Sequence, residues 1–150
     1  NTMKKILFLM FTVSSLSCQI NYGSDSQPKE LWLTDISQAI AVSEATGNPI
    51  FAFFTGKEWC GWCKKLDSQI LTKESFITYA KENLVLLELD FPRGSRNLPQ
   101  EQIDLARKFN ISGYPTVILM DAETNQIGKT GYQYMSPENY VSHVKSLLKE

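Results

Sequence analysis

The chain is short of the groups that most often hold metals. It has one histidine and three cysteines in 150 residues. A structural zinc site takes about four ligands, mainly cysteine and histidine. Beside Cys60 and Cys63, only Cys18 and His143 remain, one near the N-terminus and one far along the chain. That set fits zinc poorly. Covalent haem attachment needs histidine directly after the second cysteine of a Cys-x-x-Cys pair, and Lys64 stands there. An excess of one charge is also lacking. The net charge of −1 gives no nucleic-acid surface. The apolar run Ile6 to Phe11 is far shorter than the ~20 residues of a membrane span. There are no internal repeats and no low-complexity tracts.

What is present is a 43% hydrophobic chain, enough for one globular domain with its own core. Three domain segments are expected. In residues 1–18, Met3 reads as the start, with Asn1 and Thr2 as additions ahead of it. Lys4-Lys5, the apolar run and Ser14-Ser15-Leu16-Ser17 then have the layout of an export signal. Leu16-Ser17-Cys18 resembles a bacterial lipoprotein processing site, which would lipidate Cys18. Ordinary signal cleavage, with Ser15 and Ser17 at the small-residue positions, fits as well. Residues 19–30 are polar and aperiodic and read as a tether. Residues 31–150 form the domain.

Within the domain, Leu31-Trp32-Leu33 suits a short edge strand, and Asp35 caps a helix ended by Gly47-Asn48-Pro49. Ile50 to Phe54 is a continuous apolar run, expected for a strand covered on both faces. From Cys60 onward, Cys63, Leu66 and Ile70 recur at helical spacing, and Thr72 is expected to cap a second piece. Leu84 to Asp90 reads as a strand and Phe91 to Pro99 as a loop. A short helix carries Ile103, Ala106 and Phe109. Thr116 to Met120 is a strand that Gln126 to Thr130 rejoins antiparallel. Ser136 caps the last helix, with Pro137 in its first turn. Strands alternating with helices, then a hairpin and a closing helix, imply an α/β sandwich around a mixed sheet.

Trp59-Cys60-Gly61-Trp62-Cys63-Lys64 carries the chemistry. With Cys60 at a helix start, its sulfur faces unsatisfied N–H groups and the positive end of the helix dipole, which favour thiolate. Free cysteine titrates near ~8.5, and such sites lower this to roughly 3.5–7.5. Lys57, Lys64 and Lys65 add positive charge, and Glu58 opposes it. Cys63 lies one helical turn on, so the sulfurs share a face. Cys60 can attack a foreign disulfide and Cys63 can resolve the mixed one, with no cofactor. Trp59 and Trp62 make an apolar collar for an extended partner. A purely structural bridge would staple a tiny loop to little effect.

Glu58 to Lys64, followed by Ala106 to Val117, resembles the two hallmarks of the thioredoxin superfamily, over roughly residues 31–150. The resemblance implies a thioredoxin fold and a cis Tyr114–Pro115 bond, with Pro115 beside the cysteines. It also implies substrate pairing along the Tyr114 backbone and a groove glycine at Gly131. Many thioredoxins carry a buried aspartate on the strand before the motif, partnered by a lysine on the next. Here Phe51 to Phe54 and Leu84 to Leu87 are apolar, leaving Glu58, Glu88 or water to accept a proton. Together with the signal, these features resemble exported bacterial disulfide reductases and isomerases. Gly61 after the nucleophile leans towards a reductase. Isomerase, oxidase and a tethered peptide-binding module stay open. The expected partners are thiol- or disulfide-containing exported proteins and an electron-exchanging partner, for a monomer that meets the membrane only through Cys18. Arg93 and Arg96 in the long loop could meet acidic substrates, with a solvated loop as the default, and His143 reads as a surface or half-buried histidine. Tyr132 and Tyr134 suit groove and packing roles equally.

Overall fold

The computed structural model describes residues 28–94 and 97–149. The export signal, Cys18, most of the tether and Arg96 lie outside the described residues. A single turn, Pro28–Leu31, leads into strand β1, Trp32–Leu33. Then follow α1 (Ile36–Thr46), β2 (Ile50–Thr55), α2 (Gly61–Leu66), α3 (Glu74–Asn83) and β3 (Val85–Asp90). The chain closes with α4 (Gln100–Lys108), β4 (Thr116–Met120), β5 (Gln126–Thr130) and α5 (Pro137–Leu148). The sheet order is β1-β3-β2-β4-β5. β1, β3 and β2 are parallel, while β4 runs antiparallel to β2 and to β5.

The alternation of side chains along a strand divides the core into two layers. From β2, Phe51 and Phe53 face a layer shared with Cys63, Leu66, Phe76 and Tyr140. Ile50, Ala52 and Phe54 face the other, shared with Ile36, Ala39, Leu105 and Phe109. Hence α2, α3 and α5 cover one face, and α1 and α4 the other. Ile50 to Phe54 are all buried, as the continuous apolar run predicts, and Thr55 extends the buried strand by one residue. On β3, Glu88 lies opposite Phe53 and so belongs to the face that carries Cys63.

Two local expectations are corrected. Thr72 does not cap α3. Its amide and hydroxyl both bond back to the Asp67 carbonyl, at 3.0 and 2.9 Å. These bonds close a wider i→i+5 turn over Asp67–Leu71 that continues α2. Lys73 precedes α3 with no side-chain cap. Leu84 ends α3 rather than opening β3, its amide bonding the Ala80 carbonyl at 3.0 Å.

Candidate active site

The parallel strand β2 delivers the cysteines to one end of the sheet. Beyond Thr55 the chain turns, with the Trp59 and Cys60 amides both donating to the Gly56 carbonyl at 3.1 and 2.8 Å. The turn is pinned from β3, where the Asp90 carboxylate accepts from the Lys57 amide at 2.8 Å. A Cβ at Gly56 would run into the Trp59 indole, so only glycine lets that ring fold back over the turn. Cys60 is extended (φ −93°, ψ 102°) and occupies the N-cap of α2. Its sulfur accepts from the Cys63 amide at 3.1 Å, where a serine or aspartate oxygen commonly stands.

Cys60 and Cys63 are joined in a disulfide, with Cα atoms 5.2 Å apart, inside the usual range for such bridges. Both residues are buried, Cys60 at 5% exposure and Cys63 at 2%. The Tyr114–Pro115 peptide is cis.

An aromatic wall stands on the Trp59 side. The Trp59 indole N–H donates to the Phe91 carbonyl at 2.8 Å. Tyr114 meets Trp59 edge-on and tilts against Phe91, each with centroids 5.5 Å apart. Burial raises the Tyr114 phenol above its ordinary value, so it remains a neutral donor. Trp62 is 56% exposed and leans on Tyr132 at 5.3 Å, whose hydroxyl donates to Gln69 Oε1 at 2.8 Å. Tyr132 thus packs, while Tyr134 is exposed. Gly131 abuts the cis-proline segment, and a Cβ there would lie 2.8 Å from the Pro115 carbonyl oxygen. The buried Tyr140 hydroxyl donates to the Gly131 carbonyl at 3.1 Å and holds it in place.

Behind Cys63 is a cavity of about 190 Å³ lined by Phe53, Thr55, Lys57, Lys64, Asp67 and Glu88. Lys57 and Glu88 form an ion pair in its wall. Asp67 keeps an exposed edge, yet burial pushes its carboxyl above the usual aspartate value against the pull of Lys57. A larger hollow near Asn48, Asp121 and Leu148 lies at the opposite end of the sheet.

Of the residues expected from the sequence, Cys60 and Cys63 are joined, Tyr114 meets Trp59, and Gly131 abuts Pro115, while the His143 ring pairs with the Thr130 hydroxyl at 2.9 Å. Glu58 lies in the turn, and among the described residues its side chain does not line the cavity. Sequence reasoning misses one residue, Asp67, and one contact, that of Arg93 with Trp59. Asp67 follows Cys63 by four positions, which on a helix is the same face, so its signal is present in the spacing. Arg93 reads as a solvated loop residue that could meet acidic substrates, and its guanidinium sits 4.9 Å from the Trp59 ring centroid. Nothing local in the sequence marks that contact.

A mixed five-stranded sheet bearing a Cys-x-x-Cys pair at a helix start defines a thiol–disulfide oxidoreductase. A family profile described as a thioredoxin-like domain matches residues 36–147. The chain belongs to the thioredoxin-like family. It is 36% identical over 117 residues to the disulfide bond reductase DsbH of Chlamydia pneumoniae, covering 75% of this chain and 70% of that protein. A solved structure of DsbH oxidoreductase matches with a TM-score of 0.71 at 35% identity, covering 79% of this chain and 83% of that one. The thioredoxin-related protein DsbJ of Chlamydia pneumoniae is 27% identical, over 83% of this chain but only 36% of DsbJ.

Proposed function

We propose that the protein reduces disulfides in exported proteins, with Cys60 as nucleophile and Cys63 as resolving thiol. The observation that carries this reading is the N-cap position of Cys60. An N–H donor already aimed at its sulfur at 3.1 Å would equally stabilise a thiolate. The Cys60 thiolate attacks a client disulfide, a Cys60–client disulfide forms, and one client thiolate leaves. Cys63 loses its proton and attacks the Cys60 sulfur. The second client thiolate leaves, and the Cys60–Cys63 disulfide takes up the two-electron oxidation. Glu88 and Asp67, across the cavity from Cys63, accept the proton that Cys63 releases. They stand in for the buried strand acid that Phe51 to Phe54 lack. A reductant on the same side of the membrane then returns the pair to dithiols.

Trp59, Trp62, Tyr114, Pro115 and Gly131 form the client groove, with the backbone at Tyr114 pairing an extended segment. The reductase direction is supported by the likeness to a protein named a disulfide bond reductase and by Gly61 after the nucleophile. The leader pattern of residues 4–18 supports an exported, periplasmic setting, with Cys18 as lipid anchor and residues 19–30 as tether to the domain from residue 31. The test is insulin reduction. Cys60→Ser abolishes it, and Cys63→Ser accumulates a mixed disulfide through Cys60. Activity surviving in Cys60→Ser removes the proposal.

A further inference from the structure

Each tryptophan flanking the cysteines carries a cation on its ring. The Arg93 guanidinium lies 4.9 Å from the Trp59 centroid, and Lys65 Nζ lies 4.4 Å from that of Trp62. Cation–π contact seats both over the collar while leaving them exposed. Among the described residues neither is paired with a carboxylate, unlike Lys57 with Glu88 and Arg107 with Asp104. Lys64, between the collar residues, is tethered by donating from Nζ to the Glu58 carbonyl at 3.0 Å. Of the nearby acids, Glu88 is taken up by Lys57 and, like Asp67, faces the cavity behind Cys63. Glu58 and Asp90, the latter already accepting from the Lys57 amide, are left to offset the rim. This positive rim belongs to a chain whose net charge is −1, so it is a local feature and not a general background.

We propose that Arg93 and Lys65, seated on the two indoles, make a cationic collar that selects client disulfides flanked by acidic residues. The proposal rests on the reductase reading and names the client chemistry for that same site. A carboxylate beside the client cysteine meets a cation already held over an apolar ring. The ring lowers local solvent screening and costs little further ordering of the side chain. The disulfide is thereby steered to Cys60 before any covalent step. Lysine-flanked disulfides meet like charge at the same place, so the collar discriminates by repulsion as well as attraction.

The test uses the pre-reduced protein in single turnover against two synthetic peptides. Each has one internal disulfide, flanked on both sides by glutamate in one and by lysine in the other. The glutamate peptide is expected to be reduced about tenfold faster at low salt. The advantage should shrink towards parity at about 0.5 M salt as screening sets in. Arg93 and Lys65 are both exposed, so the double variant Arg93→Glu/Lys65→Glu keeps the fold and is expected to invert the preference. Equal rates for both peptides at low salt overturn the collar alone. So does a glutamate preference that persists in the charge-reversed variant. Reduction of neither peptide overturns the reductase reading and the collar with it. The salt dependence of the unaltered protein tests the collar without requiring any variant to fold.

Discussion

Gly131→Ala tests how tightly the groove is built. The added Cβ would lie 2.8 Å from the Pro115 carbonyl oxygen, whereas ordinary contact begins near 3.4 Å, so something must move by about 0.6 Å. The obstacle is backbone, not the end of a flexible side chain. Gly131 is also held from behind, through its own carbonyl, by the buried Tyr140 hydroxyl. The strain therefore falls on the Tyr114–Pro115 segment. Overpacking of this kind costs about 1–3 kcal/mol. A misplacement of ~1 Å can cost ~100-fold in rate, so a 0.6 Å shift of the client-pairing segment should lower kcat/KM by about tenfold. Insulin turbidity gives the activity, and urea denaturation of the oxidised form gives the stability. Gly113→Ala is the control, since a Cβ there meets nothing within 4 Å. Gly131→Ala with normal activity and stability would show that the segment yields freely and refute the reasoning.

Three other outcomes follow from the same geometry. Glu88→Gln should lengthen the life of the Cys60–client mixed disulfide about tenfold in quenched-flow trapping, with under ~1 kcal/mol of stability lost because Lys57 is half exposed; an unchanged lifetime would remove Glu88 from the proton transfer. Burial favours neutral Asp67, so the folded state keeps that proton to higher pH than the unfolded chain, and stability falls as pH rises from the ordinary aspartate value of ~3.9 through the raised one. Asp67→Asn lacks this fall, so its advantage over the unaltered protein in urea should grow across that window and then level off; a constant difference would contradict the burial. Trp59→Phe keeps the ring but leaves the Phe91 carbonyl without its donor, which should cost about 1 kcal/mol by urea titration; no loss would mean water replaces the indole N–H.

The sheet and its helices were legible because each depends on a short-range pattern. The apolar run of β2 demands cover on both faces, and the caps at Asp35 and Ser136 bond the Gln38 and Asn139 amides as their residue types predict. The Cys60–Cys63 spacing likewise determines which helical face both sulfurs share. Thr72 misled because a hydroxyl that suits an N-cap equally suits back-bonding to a carbonyl in the preceding turn, and the wide turn at Asp67 offered that carbonyl. The cavity behind Cys63 was only half legible. Glu88 is visible as a polar residue in an apolar strand, but the sequence does not say that Lys57 folds back to meet it. Arg93 over Trp59 depends on how the loop after β3 packs, a tertiary matter on which propensity and period are silent.

The most direct test of the N-capping sulfur is the rate of alkylation of the reduced protein at neutral pH, resolved by mass for Cys60 and Cys63 separately. Cys60 should react faster than both Cys63 and free cysteine, and the gap to free cysteine should narrow as pH rises and ordinary thiols ionise. A Cys60 that reacts no faster than free cysteine at every pH would contradict the account.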